Sequence, residues 1–259
     1  MKKIKLGIFG PSGRMGQDIL KQLKSFNEFD LVSLCEKKNH INIDKEINKV
    51  KITSDIKSLI NLSDVIIDFT SPKASLKLLE NIKENKDSTS VVSGTTGYSK
   101  VEDEKFIKLS KNLTVLRSFN MSIGVNLLKT LVSTSAKNLS NISDVEILEF
   151  HHNKKKDVPS GTAITLFDSI KEGSNHPKKP VFRTQTADRV RKPNEIGFSS
   201  IRGGNVVGEH TVFFFMDGER IELTHKADDR KIFSVGALKA AKWVYDKKPG
   251  LYTMLDMIS

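Results

Sequence analysis

The feature that most constrains this chain is a glycine-rich turn set between a strand and a helix near its beginning. Residues 3–9 (KIKLGIF) read as a strand, and GPSGRMG at 10–16 turns into an amphipathic helix carrying Ile19, Leu20 and Leu23. A second strand over 29–35 ends on Glu36 and Lys37. This is a βαβ unit with glycines at its first turn and an acidic residue twenty positions beyond Gly16. Glycines allow the tight turn and let the backbone approach a pyrophosphate, which the helix N-terminus stabilises. Glu36 is placed to bond ribose hydroxyls, whereas Lys37 suits a 2′-phosphate, so the pair argues both ways on NADH against NADPH. The spacing is Gly-x-x-Gly-x-x-Gly rather than Gly-x-Gly-x-x-Gly. A glycine turn that binds nothing is the alternative, and the elements that follow weigh against it.

Strands and helices continue to alternate. A strand over 65–69 ends in DFTSP and leads into a helix through Leu76, Leu78 and Leu79. A short strand over 90–93 ends in GTTGY before a helix over 101–111, and a strand over 113–117 ends in SFNMS. Small or polar residues thus recur at three strand ends: 68–71, 94–96 and 118–122. Ligands of open parallel sheets bind outside those carboxyl ends. The expectation is an α/β chain with an N-terminal, Rossmann-like, doubly wound parallel sheet.

After Ser122 the pattern changes. A helix over 123–139 leads to a strand over 145–150, and a further helix follows Gly161. Strands then dominate, over 196–202, 208–216 and 220–226, with a hairpin in FFFMDGERIEL that puts Phe213 and Phe215 on one face. The segment 173–194, rich in Lys, Pro and Asn, reads as a mobile connection. A helix over 232–245, with Val235, Leu238, Ala241 and Val244 facing a core, returns to the first domain. The second domain is therefore expected to be a smaller α+β unit of mixed sheet.

The densest chemistry lies in EFHHNKKKDVPSGT, 149–162. His151 and His152 diverge if the strand continues. Lys154, Lys155, Lys156 and Asp157 follow, then a turn at 159–161 opens a helix that Ser160 or Thr162 caps. Imidazoles, ammonium groups and a helix N-terminus suit a carboxylated small molecule. A solvated basic loop with a structural histidine pair is the other reading of these residues.

The chain has 259 residues, enough for two domains. Its 42 basic against 31 acidic residues give +11, which attracts anions in general. The cations are spread along the chain, and no helix-turn-helix, finger or aromatic-basic sheet motif accompanies them, so nucleic acid is not an expected partner. A lone cysteine, Cys35, excludes internal disulfides and fits a reducing, cytoplasmic compartment. No apolar run reaches eighteen residues, and the first residues read as a strand start rather than a signal peptide.

GxxGRMG, DFT-x-P, GTTG, N-x-S-x-GVN, HHxxKxDxPSGTA and GEHT occur here in the order found in the dihydrodipicolinate reductases, and over nearly the whole chain the sequence resembles that family. The resemblance implies reduction of 4-hydroxy-tetrahydrodipicolinate, by way of dihydrodipicolinate, to tetrahydrodipicolinate in lysine and diaminopimelate biosynthesis. It implies NADPH or NADH on a domain of residues 1–122 completed by 231–259. A small cyclic dicarboxylate would sit on residues 123–230, whose sheet builds a homotetramer. By this resemblance His151 is proton donor or acceptor and Lys155 proton donor, while His152, Gly161 and Thr162 hold the substrate carboxylates. Gly10, Pro11, Ser12, Gly13, Arg14 and Met15 line the cofactor with Glu36. Gly94, Thr95 and Thr96 join them, as do Ser118, Phe119, Asn120 and Met121. The chain departs from the family where Met121 replaces a common phenylalanine, Phe119 a smaller residue or proline, and Val158 an alanine.

Three rivals are weaker on the residues. Acylating semialdehyde dehydrogenases need a cysteine nucleophile in the catalytic domain, and Cys35 ends the second strand instead. A nicotinamide-sensing or nucleic-acid-binding protein on a Rossmann scaffold explains the charge but not the 149–162 cluster. A metal is not expected, because adjacent strand histidines diverge and no carboxylate or cysteine ligand set is evident.

Overall fold

Val65–Asp68 and Ser90–Ser93 are buried at every position, which a strand tolerates when helices cover both faces of its sheet. The structure, a computed structural model, describes residues 2–85, 88–182 and 190–259. It divides into two units, Met1–Met121 with Lys231–Ser259, and Ser122–Arg230.

The first unit runs β1 (Ile4–Phe9), α1 (Arg14–Gln22), β2 (Phe29–Cys35), β3 (Glu46–Ile47), β4 (Val50–Thr53) and α2 (Ile56–Leu62). It continues through β5 (Val65–Asp68), α3 (Pro72–Asn85), β6 (Ser90–Ser93), α4 (Lys100–Ser110) and β7 (Thr114–Arg117). Its eight strands lie in the order β13-β7-β6-β5-β1-β2-β4-β3, where β13 is Gly250–Tyr252. All pair in parallel except the β3–β4 hairpin. Strand order reverses at β1, which has β2 on one side and β5 on the other. The glycine turn after β1 and the Asp68–Phe69–Thr70 loop after β5 therefore open at one switch point. Leu59, Ile66, Leu78, Val91 and Phe106 lie in the core of one layer.

The second unit holds α5 (Ile123–Leu139), β8 (Asp144–His151), α6 (Gly161–Gly173), β9 (Lys179–Phe182), β10 (Glu195–Arg202), β11 (Gly208–Phe215) and β12 (Arg220–Ala227). The sheet order is β12-β11-β8-β10-β9, with β8, β10 and β9 parallel and β11 antiparallel to both neighbours. Leu128 and Val132 of α5 and Leu166 and Ile170 of α6 pack on Val145, Ile147, Ile196, Phe198, Val212 and Phe214 of the sheet. Phe213 and Phe215 stack with centroids 5.4 Å apart on the opposite face, as their alternation predicts. The chain then closes the first unit with α7 (Lys231–Val244), packed against α1, and α8 (Met254–Ile258).

The alternation read from sequence passes over 38–64, where β3, β4 and α2 form, and over 246–259, where β13 and α8 form. These elements have two to seven residues, too few for a period to show. Local chemistry still starts α2, whose N-cap Asp55 accepts from the N–H groups of Lys57 and Ser58. The connection expected over 173–194 is corrected at Lys179–Phe182, a strand paired with β10. Lysine and proline blunt such an edge and hide its period. Residues 183–189 of that connection lie outside the described residues.

Candidate active site

The glycine turn of the first unit is shaped by contacts that only glycine permits. Gly10 has φ +84°, and a Cβ at Gly16 would meet the Gly10 carbonyl oxygen at 2.3 Å. Gly13 stands at the N-cap of α1 with no side-chain cap bond, so the first N–H groups face the turn. Glu36 accepts from the backbone N–H of Ser12 at 3.3 Å and from that of Lys37 at 3.0 Å. The Asn42 amide donates to Ser12 Oγ at 3.1 Å. The acidic residue at the end of β2 thus lies against the turn, and the Lys37 side chain is exposed.

Beside the turn is a cavity of about 450 Å³. Arg14, Met15, Gly94, Thr95, Thr96, Phe119, Asn120 and Met121 line it, together with Phe69, Thr70 and Phe233. Asp68 ties two of its walls together. Its carboxylate, fully buried, accepts from Thr70 Oγ1 at 2.6 Å, from the Thr70 N–H at 3.1 Å and from Thr95 Oγ1 at 3.3 Å. Burial pushes the Asp68 carboxyl upward against those bonds. Gly94 is required by packing, since a Cβ there would overlap the Phe69 ring at 2.0 Å. Ser118 bonds the Asn120 carbonyl at 2.7 Å and shapes the third loop from behind. Gly10, Pro11, Ser12, Gly13, Glu36, Lys37 and Ser118 are not cavity walls.

In the second unit the helix-facing side of the sheet is apolar at one end and polar at the other. Along β8 the buried positions are Val145, Ile147, Glu149 and His151, the period-2 face that α5 and α6 cover. Arg202 of β10 pairs in register with His151, and His210 of β11 pairs with Glu149. The Glu149 carboxylate has no exposed surface. Its Oε2 lies 2.5 Å from His151 Nδ1 and accepts from Arg202 at 2.9 Å. Its Oε1 accepts from Arg202 at 2.7 Å and from the Ser160 N–H at 3.3 Å. Ser160 caps α6 by accepting from the Ala163 N–H at 3.2 Å and lies 3.0 Å from His210 Nε2. The His210 ring packs edge-on against His151, centroids 5.1 Å apart.

Lys155 leaves this end on the loop before α6, which contains a cis Val158–Pro159 bond. Its Nζ donates to both oxygens of Asp157, at 2.7 and 2.8 Å. Arg202 steadies the same loop by donating to the Asp157 carbonyl at 2.8 Å. His152 lies just past the strand end, half-buried, and its carbonyl accepts from the Lys155 N–H. Gly161 is exposed at the first turn of α6, and a Cβ there would meet nothing within 4 Å. Thr162 follows it, half-buried.

The charges are set by burial and by this network. Burial works against the Glu149 charge, but the bonds from Arg202, Ser200 and His151 outweigh it and hold the carboxyl below its usual range. Burial lowers His151, Glu149 pulls it back up, and Lys155 and Arg202 add to the lowering. His210 is pushed down to about 3 by burial and by His151, so it is neutral. The Lys155 ammonium holds Asp157 below the ordinary carboxylate range.

His151 and Lys155 fall in one neighbourhood as expected from their shared loop. Sequence reasoning missed the parts played by Glu149, Arg202 and His210 there and by Phe233 at the cavity, whereas the strand end expected over 68–71 reaches the cavity through Phe69 and Thr70. A signal for Glu149 existed, because residues two apart on a strand share a face. The expectation that no carboxylate ligand set is evident beside the histidines is corrected at Glu149, which shares the face of His151. Ligand-capable atoms of Glu149, His151 and His210 lie within 4.8 Å of one another. Arg202 engages both Glu149 oxygens and Ser160 engages His210, so the trio is a hydrogen-bonded network with its own cation. Cys35 is buried with its thiol pushed up to about 12, mainly by burial, which disqualifies it as a nucleophile.

A doubly wound sheet with a glycine turn at its switch point, continued into a unit presenting an imidazole, an ammonium and a helix N-terminus, is the arrangement of a nicotinamide-dependent oxidoreductase. The family models named for the dihydrodipicolinate reductase N-terminus and C-terminus match residues 4–121 and 124–258, and the chain belongs to the dihydrodipicolinate reductase family of lysine and diaminopimelate biosynthesis. It is 39% identical over 265 residues to the 4-hydroxy-tetrahydrodipicolinate reductase of Geotalea daltonii, covering 98% of each chain. To that of Pelagibacter ubique it is 41% identical over 261 residues, covering 100% of this chain and 99% of the relative. A dipicolinate-bound dihydrodipicolinate reductase from a Paenisporosarcina species superposes with TM-score 0.81 at 25% identity, over 99% of this chain and 100% of that one. No helix among the described residues is long and apolar enough to cross a membrane.

Proposed function

We propose that this chain reduces 4-hydroxy-tetrahydrodipicolinate, by way of dihydrodipicolinate, to tetrahydrodipicolinate with NADPH or NADH. The observation that carries the reading is the His151–Lys155–Gly161 cluster at one strand end, in a chain of this family. The glycine turn, the uncapped start of α1 and the cavity beside them fit a dinucleotide. Gly10, Pro11, Ser12, Gly13, Arg14 and Met15 would meet its phosphates, and Glu36 and Lys37 its adenosine ribose. Gly94, Thr95, Thr96, Ser118, Phe119, Asn120 and Met121 would border the nicotinamide, where the Met121 thioether can pack on a ring. When bound, the cofactor supplies hydride.

Hydride addition to a conjugated cyclic imine leaves electron density that must be protonated. An imidazole supplies such a proton near neutral pH, so His151 is the donor, with Lys155 as the second. Lys155 must exchange its Asp157 partner for the substrate, and the substrate's carboxylate is the natural replacement. His152, Thr162 and the N–H groups at Gly161 hold the two carboxylates, since a helix N-terminus attracts anions. No nucleic acid or membrane enters this reading. The protein works as a homotetramer in the cytoplasm, a compartment suited to a buried, unpaired Cys35.

Steady-state kinetics of the purified protein with each cofactor test the reading. Turnover of the hydroxylated ring with both is expected, and no turnover with either would refute it. Lys37→Ala should weaken NADPH far more than NADH, because an ammonium beside Glu36 offsets its repulsion of a 2′-phosphate. Equal loss for both would show that Lys37 does not face the ribose.

A further inference from the structure

Glu149 stands outside every role assigned above, yet it joins each part of the cluster. Its two oxygens take Arg202, His151 and the N–H of the residue that caps α6. The other end of this sheet face is apolar, and burying a carboxylate with a guanidinium is costly where two apolar side chains fill the same space. Stability alone therefore gives little reason for the pair. We propose that Glu149, held by Arg202, is a positioning residue for His151: it keeps a proton on Nδ1 and thereby makes Nε2 the nitrogen that exchanges a proton with the substrate. The inference rests on the proposed role of His151 and deepens it.

The geometry leaves little choice of atom. Nδ1 points at a carboxylate, which only accepts, so Nδ1 carries hydrogen in both the neutral ring and the imidazolium. Nε2 points instead toward Gly208, where the absence of a side chain leaves it room: a Cβ there would stand 3.1 Å away. A ring without the Glu149 contact could hold its one hydrogen on either nitrogen and could turn over. Arg202 fixes the carboxylate by two parallel bonds, which orient it as one bond would not. Among the described residues, Lys155, Arg202 and the neutral His210 are the other titratable or charged groups around the ring, and Glu149 is the one whose charge favours the imidazolium.

The first test uses the unmodified protein. Nitrogen-15 spectra of histidine-labelled enzyme, with His151 assigned by its absence in His151→Asn, should show a hydrogen-bearing Nδ1 and a bare Nε2 in the neutral ring. A neutral ring with hydrogen on Nε2 overturns the proposal, and this readout needs no variant of Glu149 to fold. Kinetics supply the second test. Glu149→Gln can donate an amide hydrogen to Nδ1 and force the opposite tautomer, so kcat should fall roughly 10²-fold or more with KM little changed. The fall in kcat/KM at high pH should also move to lower pH, because the charge that favoured the imidazolium is gone. If His151→Gln is inactive while Glu149→Gln keeps wild-type kcat and an unmoved profile, the positioning role falls and the reading of His151 stands. Normal turnover by His151→Gln would instead overturn both.

Discussion

At the scale of single residues, His151 ends a sheet face, and Lys155 lies on the loop beyond it, at a polar end on which the apolar core does not depend. The apolar packing is made by Val145, Ile147, Phe198 and their neighbours. His151→Gln and Lys155→Ala should therefore lower kcat by roughly 10²-fold or more, the range for general acid–base groups, and leave the melting temperature little changed. Wild-type turnover in either variant would remove that residue from the mechanism. Gly208 tests the atom rather than the residue. Its φ lies outside the left-handed region, so alanine is tolerated by the backbone, but the new methyl would stand 3.1 Å from His151 Nε2. Gly208→Ala should fold normally and lose most of its turnover, and kinetics indistinguishable from wild type would show that substrate does not reach Nε2 from that side.

At the scale of elements, β8, β10 and β11 meet through ionisable groups beneath the Ser160 cap of α6, and this makes stability depend on pH. His210 lies between strands under the cap of α6, with its folded value about 3 against the ordinary 6.5. The folded state favours the neutral ring, so the unfolded chain binds the extra proton. Stability is then fully present above about pH 6.5 and is lost as pH falls toward 3. His151 and His225 are also lowered, mainly by burial, and act in the same direction. Urea denaturation at about pH 7 and about pH 5 should show a loss of roughly 2 kcal/mol from His210 alone. His210→Gln should be less stable at neutral pH and lose less on acidification. An equal acid loss in both proteins would mean that the ring titrates normally.

At the scale of the molecule, α5 and α6 cover one face of the second unit's sheet, and among the described residues no helix covers the other. Phe213 and Phe215 stack there, Phe215 and Ile201 exposing 39% and 46% of their surface. The stacked rings lie among charged cross-strand neighbours, Glu146 and Glu222 beside Phe213 and Asp144 and Arg220 beside Phe215, and exposed aromatics framed by charges suit contact with another copy. This is the physical ground for the proposed homotetramer. Phe213→Glu should dissociate the assembly, which light scattering after size-exclusion chromatography reads directly as mass. A monomeric wild type, or a variant of unchanged mass, would refute assembly through this face.

What the sequence determined by itself is what short-range physics encodes. The glycine turn of residues 10–16 demanded a βαβ unit, short strands such as 65–69 and 90–93 alternating with helices demanded a parallel sheet, and 149–162 placed an imidazole and an ammonium within one loop. Those features depend on neighbours a few positions apart, so one stretch of chain reveals them. The tertiary structure alone decided the rest. Arg202 reaches Glu149 across 53 positions, and His210 meets both Glu149 and His151 because β11 pairs antiparallel with β8 in one register. Phe233 joins the cavity wall from a helix that returns after the whole second unit. Strand pairing and chain return are set by the packing of complete faces, and no local period carries them. His151 was legible as a histidine in a reactive loop, whereas the carboxylate that directs its proton became visible only when three strands were laid side by side.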